Sequence, residues 1–226
     1  MADAIQVAEK LNESGVLQNL SQPVQTALFL GALALLPALL VCVTSFTRIV
    51  IVLSFVRRAV TSQEIPPNFV LIGLSLFLTL FVMGPTLDDM NAKAITPYQE
   101  GKIDGMEATR QGVASLHKFM LRQTRRQDLA LFIHLAGNPA PERAEDTPIR
   151  VLIPAFVISE LKTAFIMGFC IYLPFLLVDL VVSSILTSMG MMMMPPVVIS
   201  APFKILLFVL ADGWHLVARA LSMSFG

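Results

Sequence analysis

Four long apolar blocks constrain the fold of this chain more than any other feature of its sequence. They cover positions 23–47, 65–87, 151–190 and 197–225. Because about 20 helical residues cross the roughly 30 Å hydrocarbon core of a bilayer, each block is long enough for a membrane-associated helix. Only 14% of the residues are charged, against about 25% in soluble domains. The sequence therefore predicts an all-α fold built from membrane-associated helical hairpins.

The distribution of charge divides the chain into four segments. They are an N-terminal amphipathic segment (1–22), a first apolar helical hairpin (23–83), a polar insert (84–150) and a second, kinked apolar hairpin with a methionine-rich loop (151–226). The insert holds nine acidic and nine basic residues, more than half of all charges. It is therefore expected to be helical and to face water. Within it, Asp128 is expected to cap a helix over 129–136.

The turn of the first hairpin and the segment before it bear on the placement of the chain in a membrane. Arg57 and Arg58 lie in a short loop, which predicts that this loop is cytoplasmic and that the insert is extracytoplasmic. The first 20 residues are net acidic, whereas a secretory signal starts with positive charge. We expect positions 1–22 to pack on a partner, on lipid headgroups or on the rest of this chain.

Charged residues interrupt the apolar blocks, and facing lipid would cost each about 2.5–3.5 kcal/mol. They are Arg48, Glu160, Lys162, Asp179, Lys204 and Asp212. They must pair, face a wet cavity or lie in helices packed on protein. Because the chain is short for burying so many apolar faces alone, we predict charge pairing between subunits rather than within one chain. The first pair expected is Glu160 with Lys204, and Asp179 or Asp212 is the alternative partner of Lys204.

A methionine-rich turn separates the last two apolar blocks. Gly190 favours the end of a helix, and Pro195-Pro196 cannot continue one. The residues between them are Met191, Met192, Met193 and Met194. Methionine is long, unbranched and soft, so several such loops meeting on an axis would form a deformable apolar plug. The alternative is a methionine-rich bend buried in a helical core.

An enzyme is not expected. Asp179 and Asp212 lie in apolar helices, as an intramembrane aspartyl protease would require, but the neighbouring Lys204 favours ionised carboxylates over a shared proton. The sequence lacks the nucleophile, zinc and phosphate-loop motifs of other enzyme classes. Cys42 and Cys170 have no metal-ligand spacing, and a net charge of zero gives no footprint for nucleic acid. We expect no metal and no cofactor.

Several fragments of the chain resemble the FliP family of flagellar biosynthesis proteins. In the first hairpin they are Thr44-Ser45-Phe46-Thr47-Arg48-Ile49, Pro66-Pro67-Asn68 and Leu71-Ile72-Gly73-Leu74. In the second they are VLIPAFVISELKTAF (151–165), DLVV (179–182), the Met-Pro loop, PFK (202–204) and DGW (212–214). Within the insert, FMLRQTR (119–125) and DLALF (128–132) resemble the flagellar branch of the family. The resemblance covers roughly residues 23 to 225.

The resemblance implies a place in the flagellar type III protein export gate of the bacterial inner membrane. Members of the family form a homopentameric ring, joined by FliR-like and FliQ-like subunits, with helices lifted largely out of the membrane plane. Methionine loops close the pore through which unfolded flagellar proteins pass. The resemblance assigns this sealing role most clearly to Met191, Met192 and Met193, because position 194 varies within the family. Members usually begin with a cleavable signal peptide, and none is evident here.

Three other functions remain open on the sequence. One is the equivalent subunit of a virulence-type (injectisome) secretion system. Another is an ion channel or transporter that acts alone in lipid. The last is a membrane scaffold without a pore.

Overall fold

The computed structural model of the chain describes residues 21–60, 66–137, 141, 143–191 and 194–226. Within these ranges every regular element is helical and no strand occurs, so the all-α prediction is confirmed. The predicted amphipathic segment lies outside the described residues except for positions 21 and 22. The α-helices are α1 (Gln22–Val43), α2 (Phe46–Val60), α3 (Asn68–Met90), α4 (Thr96–Gln99), α5 (Gly105–Gln123), α6 (Arg126–Leu135), α7 (Ile149–Ser188), α8 (Pro196–Leu210) and α9 (Gly213–Met223).

The first apolar block ends where threonine hydroxyls compete with the backbone. Thr44 is extended and donates its hydroxyl to the Leu40 carbonyl at 2.8 Å, and Thr47 donates to the Val41 carbonyl at 2.9 Å. These bonds satisfy carbonyl groups that the end of α1 leaves without helical partners. The chain therefore breaks between α1 and α2, and Arg48 enters the first turn of α2.

The second apolar block runs into the polar insert without a break. α3 continues through a π-helical stretch, Asn91–Ile95, into α4. The helix therefore passes the predicted boundary at position 84 and ends only at Gln99. Its buried side chains, Leu71, Ser75, Thr79 and Met83, recur every four residues and form one stripe, and α3 packs on α2 and α5.

The long helix α7 organises the fold. It has 40 residues, about 60 Å at 1.5 Å per residue, which is twice the thickness of a bilayer core. α2, α5, α6 and α8 all pack on it, α2 most extensively. Most of its buried side chains lie in its first half, at Val151, Leu152, Ala155, Phe156, Ser159, Glu160, Ala164 and Gly168. In the second half, large apolar side chains such as Leu173, Leu177 and Leu180 are exposed.

The last apolar block is two helices rather than the single helix expected over 197–225. α8 and α9 meet at 63°, and Asp212 at the break has a left-handed backbone with φ of 49°. The Phe208 ring fills the bend, packing edge-on against Trp214 at 5.3 Å between centroids. The ring leaves no room for a side chain at Gly213, where an added Cβ would lie 2.2 Å from a ring carbon.

Among the residues that the structure describes, two continuous helices are long and apolar enough to cross a membrane. They are Asn68–Gln99 and Ile149–Ser188, and the bent pair of α8 and α9 would add a third if it counts as one span. Large apolar side chains also cover the outer face of α3, where Phe69, Phe77 and Phe81 are each more than two-thirds exposed. These surfaces identify a membrane protein.

A glycine lets α2 approach α7 closely, and this contact is testable. A Cβ added at Gly168 would lie 2.5 Å from a ring carbon of Phe55. We expect Gly168→Ala to lower the free energy of unfolding by about 1–3 kcal/mol, because the ring must move. Thermal unfolding of the detergent-solubilised protein measures the change.

The matched control is Gly84→Ala in α3, where nothing lies within 4 Å of an added Cβ. This change should be neutral or stabilise by up to about 1 kcal/mol, since alanine is the better helix former. Adding Phe55→Leu to Gly168→Ala should recover part of the lost stability, because it removes the ring that the new Cβ meets. Equal effects of the two alanine substitutions would contradict the close contact.

Candidate functional site: a buried arginine hub and a methionine loop

A buried ion pair joins the two apolar hairpins. Arg48, in the first turn of α2, donates from Nε to Glu160 Oε2 of α7 at 2.9 Å and from Nη2 to Glu160 Oε1. The side chains are 2% and 0% exposed. Two parallel N–H···O bonds of this kind give the planar guanidinium a fixed orientation against the carboxylate.

The remaining donors of Arg48 reach two other parts of the chain. Nη1 donates to the backbone carbonyl of Ser224 at 2.9 Å and to its hydroxyl at 3.0 Å, just beyond α9. Nη2 also donates to Gln123 Oε1 at 3.3 Å, at the end of α5. The guanidinium carbon lies 3.8 Å from the centre of the Phe225 ring. All five N–H groups of the arginine therefore have acceptors, which a buried guanidinium requires.

We call Arg48, Gln123, Glu160, Ser224 and Phe225 the arginine hub. Gln123 closes it by donating from Nε2 to the Phe225 carbonyl at 3.0 Å. The hub connects α2, the insert, α7 and the C-terminal residues at one point. Because a buried charge left without its partner is costly, these four parts are held in one arrangement.

A second polar contact attaches the insert to α7 one residue before Glu160. The Ser159 hydroxyl donates to Asp128 Oδ2 at 2.8 Å and accepts from the Arg125 backbone N–H at 3.0 Å. Asp128 was expected to cap its helix, but Arg125 holds the N-cap position and Asp128 is buried in the first turn of α6. That expectation was wrong because the carboxylate has a hydroxyl donor on the neighbouring helix.

A third polar contact joins α7 to α8 near the methionine loop. Lys204 Nζ lies 2.5 Å from Asp179 Oδ2, and the Ser200 hydroxyl donates to Asp179 Oδ1 at 2.5 Å. The lysine side chain is 5% exposed and the aspartate 27%. Both oxygens of Asp179 are thus occupied by donors from α8.

These contacts correct the first pairing expected from the sequence. Glu160 and Lys204 do not pair with each other: Glu160 binds Arg48 and Lys204 binds Asp179, both within one chain. The reason is geometric, because the fold places an opposite charge from a neighbouring helix beside each. Asp179, the alternative partner of Lys204, is the one found.

Lys162 and Asp212 have a different environment. Both side chains are exposed, and neither is in any of the ion pairs found among the described ranges. Their predicted contact with other subunits therefore stays a prediction. No hydrogen bond joins Asp179 to Asp212, and Asp179 is held as the partner of a lysine, so the geometry of a proton-sharing aspartyl pair is not formed.

The methionine loop begins as the sequence predicts. Gly190 has φ of 75°, its N–H donates to the Thr187 carbonyl at 3.0 Å, and the Met191 N–H donates to the Leu186 carbonyl at 3.0 Å. This pair of bonds is a Schellman motif, which ends a helix at a left-handed glycine. α8 then starts at Pro196, with Pro195 as its N-cap.

The methionines that the structure describes in this loop are exposed. Met189 is 68% exposed, and Met191 and Met194 are each 40% exposed. Met192 and Met193 lie outside the described residues. The described methionines therefore do not form a bend buried in the core of this chain.

The fold and these contacts define a class of protein: a helical membrane protein in which buried Arg48 and Lys204 pair with acidic residues of the same chain and the hairpin of α7 and α8 ends in exposed methionines. Comparison with known proteins identifies the family. The model of the FliP family matches residues 29–221. The flagellar biosynthetic protein FliP of Bacillus subtilis is 52% identical over 92% of this chain and 94% of its own length.

Other relatives agree. The FliP of Pectobacterium carotovorum is 51% identical over 92% of this chain and 81% of its own length. The FliP of Aquifex aeolicus is 48% identical over 92% of this chain and 87% of its own length. The chain belongs to the FliP family, as its sequence motifs predicted.

The arginine hub makes a quantitative prediction. Arg48→Met or Glu160→Gln alone should each lower the free energy of unfolding by about 3–5 kcal/mol, because each leaves a buried polar partner unsatisfied. The double variant, Arg48→Met with Glu160→Leu, should lose much less free energy of unfolding than the two single variants together. Denaturant unfolding in mild detergent gives the three values.

The control for the hub is the exposed pair of Glu107 and Arg110 on α5, which are 3.2 Å apart. Glu107→Gln should cost less than about 1 kcal/mol, as exposed ion pairs do. If the hub substitutions cost no more than this control, the hub does not hold the fold.

Charge reversal tests the ion pair between Asp179 and Lys204. Asp179→Lys and Lys204→Asp should each destabilise the hairpin of α7 and α8, because like charges would then face each other across it. The double reversal should recover most of the loss in thermal stability. A double variant no more stable than either single variant would contradict the pairing.

Proposed function

We propose that this chain is a pore subunit of the flagellar type III protein export gate, through which unfolded flagellar proteins cross the bacterial inner membrane. The observation that carries the proposal is the exposure of Met189, Met191 and Met194 at the tip of the hairpin of α7 and α8. Family membership supplies the flagellar context, because the relatives are flagellar biosynthetic proteins.

The position of the loop supports a role as a seal. It stands at the end of a helix about 60 Å long, with a fixed start at Gly190 and a fixed end at Pro196. Thioether side chains held between rigid ends can repack around objects of different shape. Met191, Met192, Met193 and Met194 from several copies would together close a pore and still yield to a passing polypeptide.

The apolar surface beside the loop supports assembly. A groove of about 600 Å³ between α7 and α8 is lined by apolar side chains only, among them Val181, Ile185 and Phe203. Exposed apolar faces of this size mark contacts with protein or lipid. We infer that they pack against neighbouring copies in a homopentamer and against FliQ-like and FliR-like subunits. Lys162 and Asp212, which are exposed elsewhere on the chain, supply polar contacts between subunits.

The basic end of α2 supports the proposed orientation. Arg57 and Arg58 lie in the last turn of α2 rather than in the loop after it, and basic residues close to the end of a membrane helix favour the cytoplasmic side. The insert (84–150) exceeds the length of about 60 residues up to which loop charge sets orientation, so its nine basic residues do not prevent it from lying on the opposite side. The gate acts without catalysis, and its substrates are driven by other components of the export machinery.

The mass of the assembly separates this proposal from its rivals. Extraction from flagellated cells in mild detergent, followed by native mass spectrometry, should give a complex of five copies with FliQ-like and FliR-like partner subunits. A chain that is solitary in lipid and conducts ions would indicate a channel acting alone, and a complex without conductance after opening would indicate a scaffold. The flagellar names of the relatives favour the flagellar gate over the injectisome subunit.

Removal of the methionines tests the seal. Met191→Ala, Met192→Ala and Met193→Ala combined should raise ion leak through the assembled gate, because three long side chains per copy are lost from the constriction. Planar-bilayer conductance measures the leak, and the mass of the complex should remain unchanged. The matched control is Met223→Ala, which removes an exposed methionine at the far end of α9. Equal conductance of the triple variant and the wild type would refute the seal.

A further inference from the structure

A groove between α3 and α9 combines apolar walls with basic side chains. It has a volume of about 490 Å³ and is lined by Leu78 and Phe81 of α3 and by His215, Ala218, Arg219 and Ser222 of α9. α3 belongs to a helix long enough to span a membrane, and α9 belongs to the bent pair that could form another span. The groove therefore lies between two elements suited to a bilayer.

The charge of Arg219 has no counter-charge within this groove. The groove is lined by no carboxylate, and none of the ion pairs formed by the residues that the structure describes includes Arg219. Arg48 and Lys204, by contrast, each face an acidic partner. A guanidinium is always charged and pairs well with phosphate. His215 is one helical turn away on the same face of α9 and adds a further donor.

The walls of the groove indicate what carries the anion. Phe81 is 71% exposed, and its neighbours Phe77 and Leu80 are 71% and 52% exposed. An inorganic phosphate ion would satisfy Arg219 but would leave this apolar surface uncovered. A phosphodiester attached to acyl chains matches both features, and basic pockets between membrane helices bind the headgroups of anionic lipids.

A second basic pair lies beside the same face of α3 as Leu78 and Phe81. Lys118 and Arg122 of α5 line a pocket of about 160 Å³ together with Pro85 and Asp89. The carboxylate of Asp89 is already occupied by Lys93 at 2.6 Å and by Ser115 at 2.7 Å. Positions 78, 81, 85 and 89 share one face of α3, since they are three or four residues apart. Basic side chains from two helices therefore border this one face.

From this geometry we propose that the groove between α3 and α9 binds the phosphate headgroup of an anionic phospholipid, with Arg219 as the main ligand of the phosphate. The acyl chains lie along the exposed apolar side chains of α3. This inference does not depend on the proposed pore function, because the groove is complete within one chain.

The experiment titrates the full chain in mild detergent with short-chain phosphatidylglycerol or phosphatidylcholine and counts bound lipid by native mass spectrometry. The wild type should prefer phosphatidylglycerol. Arg219→Gln should weaken that binding about fivefold, as expected for one basic group at a membrane surface, whereas Arg219→Lys should retain most of it. The matched control is Arg110→Gln, an exposed arginine outside the groove, which should leave binding unchanged. Thermal unfolding confirms that each variant is folded.

Three outcomes would overturn the proposal. One is equal binding of the two lipids by the wild type, which would show that the groove does not select an anionic headgroup. Another is unchanged phosphatidylglycerol binding by Arg219→Gln. The third is displacement of the lipid by millimolar inorganic phosphate, which would show that the groove takes the free anion. None of these results bears on whether the methionine loop seals a pore.

Discussion

The buried pair of Arg48 and Glu160 is the interaction on which the rest of the structure depends. A guanidinium without access to water needs an acceptor for each of its five N–H groups. One carboxylate takes two of them, and the remaining acceptors come from Gln123 and Ser224. The requirement of one side chain thus brings together the insert, the long helix and the C-terminal residues. Apolar packing alone is less directional and would not fix this arrangement.

This hub explains why the two halves of α7 have different surroundings. The first half contacts α2, α5 and α6 around Glu160, so Ser159 and Glu160 have partners and most of the buried apolar side chains of α7 lie here. Beyond Gly168 the side chains of α7 are mostly exposed and apolar. The only ion pair found in this half, within the ranges that the structure describes, ties Asp179 to Lys204 of α8. The first half of the long helix α7 is therefore packed against protein, and the second half is exposed to lipid or to other subunits.

The sequence predicted features that depend on local chemistry. Apolar blocks indicated helices, Gly190 with Pro195-Pro196 indicated the end of α7 and the start of α8, and the charge-rich segment indicated a helical insert. The break at Thr44 was not predicted, because it depends on hydroxyl groups that bond to carbonyls of the preceding turn. The break at Asp212 was also missed, although Asp-Gly is a dipeptide typical of turns. The packing of Phe208 against Trp214 and Gly213 stabilises the bend.

The pairing of charges could not be derived from the sequence for a related reason. Arg48 and Glu160 are 112 positions apart, and nothing in their local sequence distinguishes Glu160 from Asp179 as a partner. The choice is made by the packing of α2 on α7, which is fixed by apolar side chains and by Gly168. The sequence identifies the charged residues that need partners, but the tertiary fold decides which residues pair.

Hydrogen exchange of Arg48→Lys tests most directly whether one side chain holds these parts together. Lysine keeps the charge but lacks the planar fork that reaches three acceptor residues at once. The hub predicts that amide protection falls together in α2, at the end of α5, in the first half of α7 and over residues 213–225, while the middle of α3 stays protected. Loss of protection confined to α2, with the insert and the C-terminal residues exchanging as in the wild type, would contradict it.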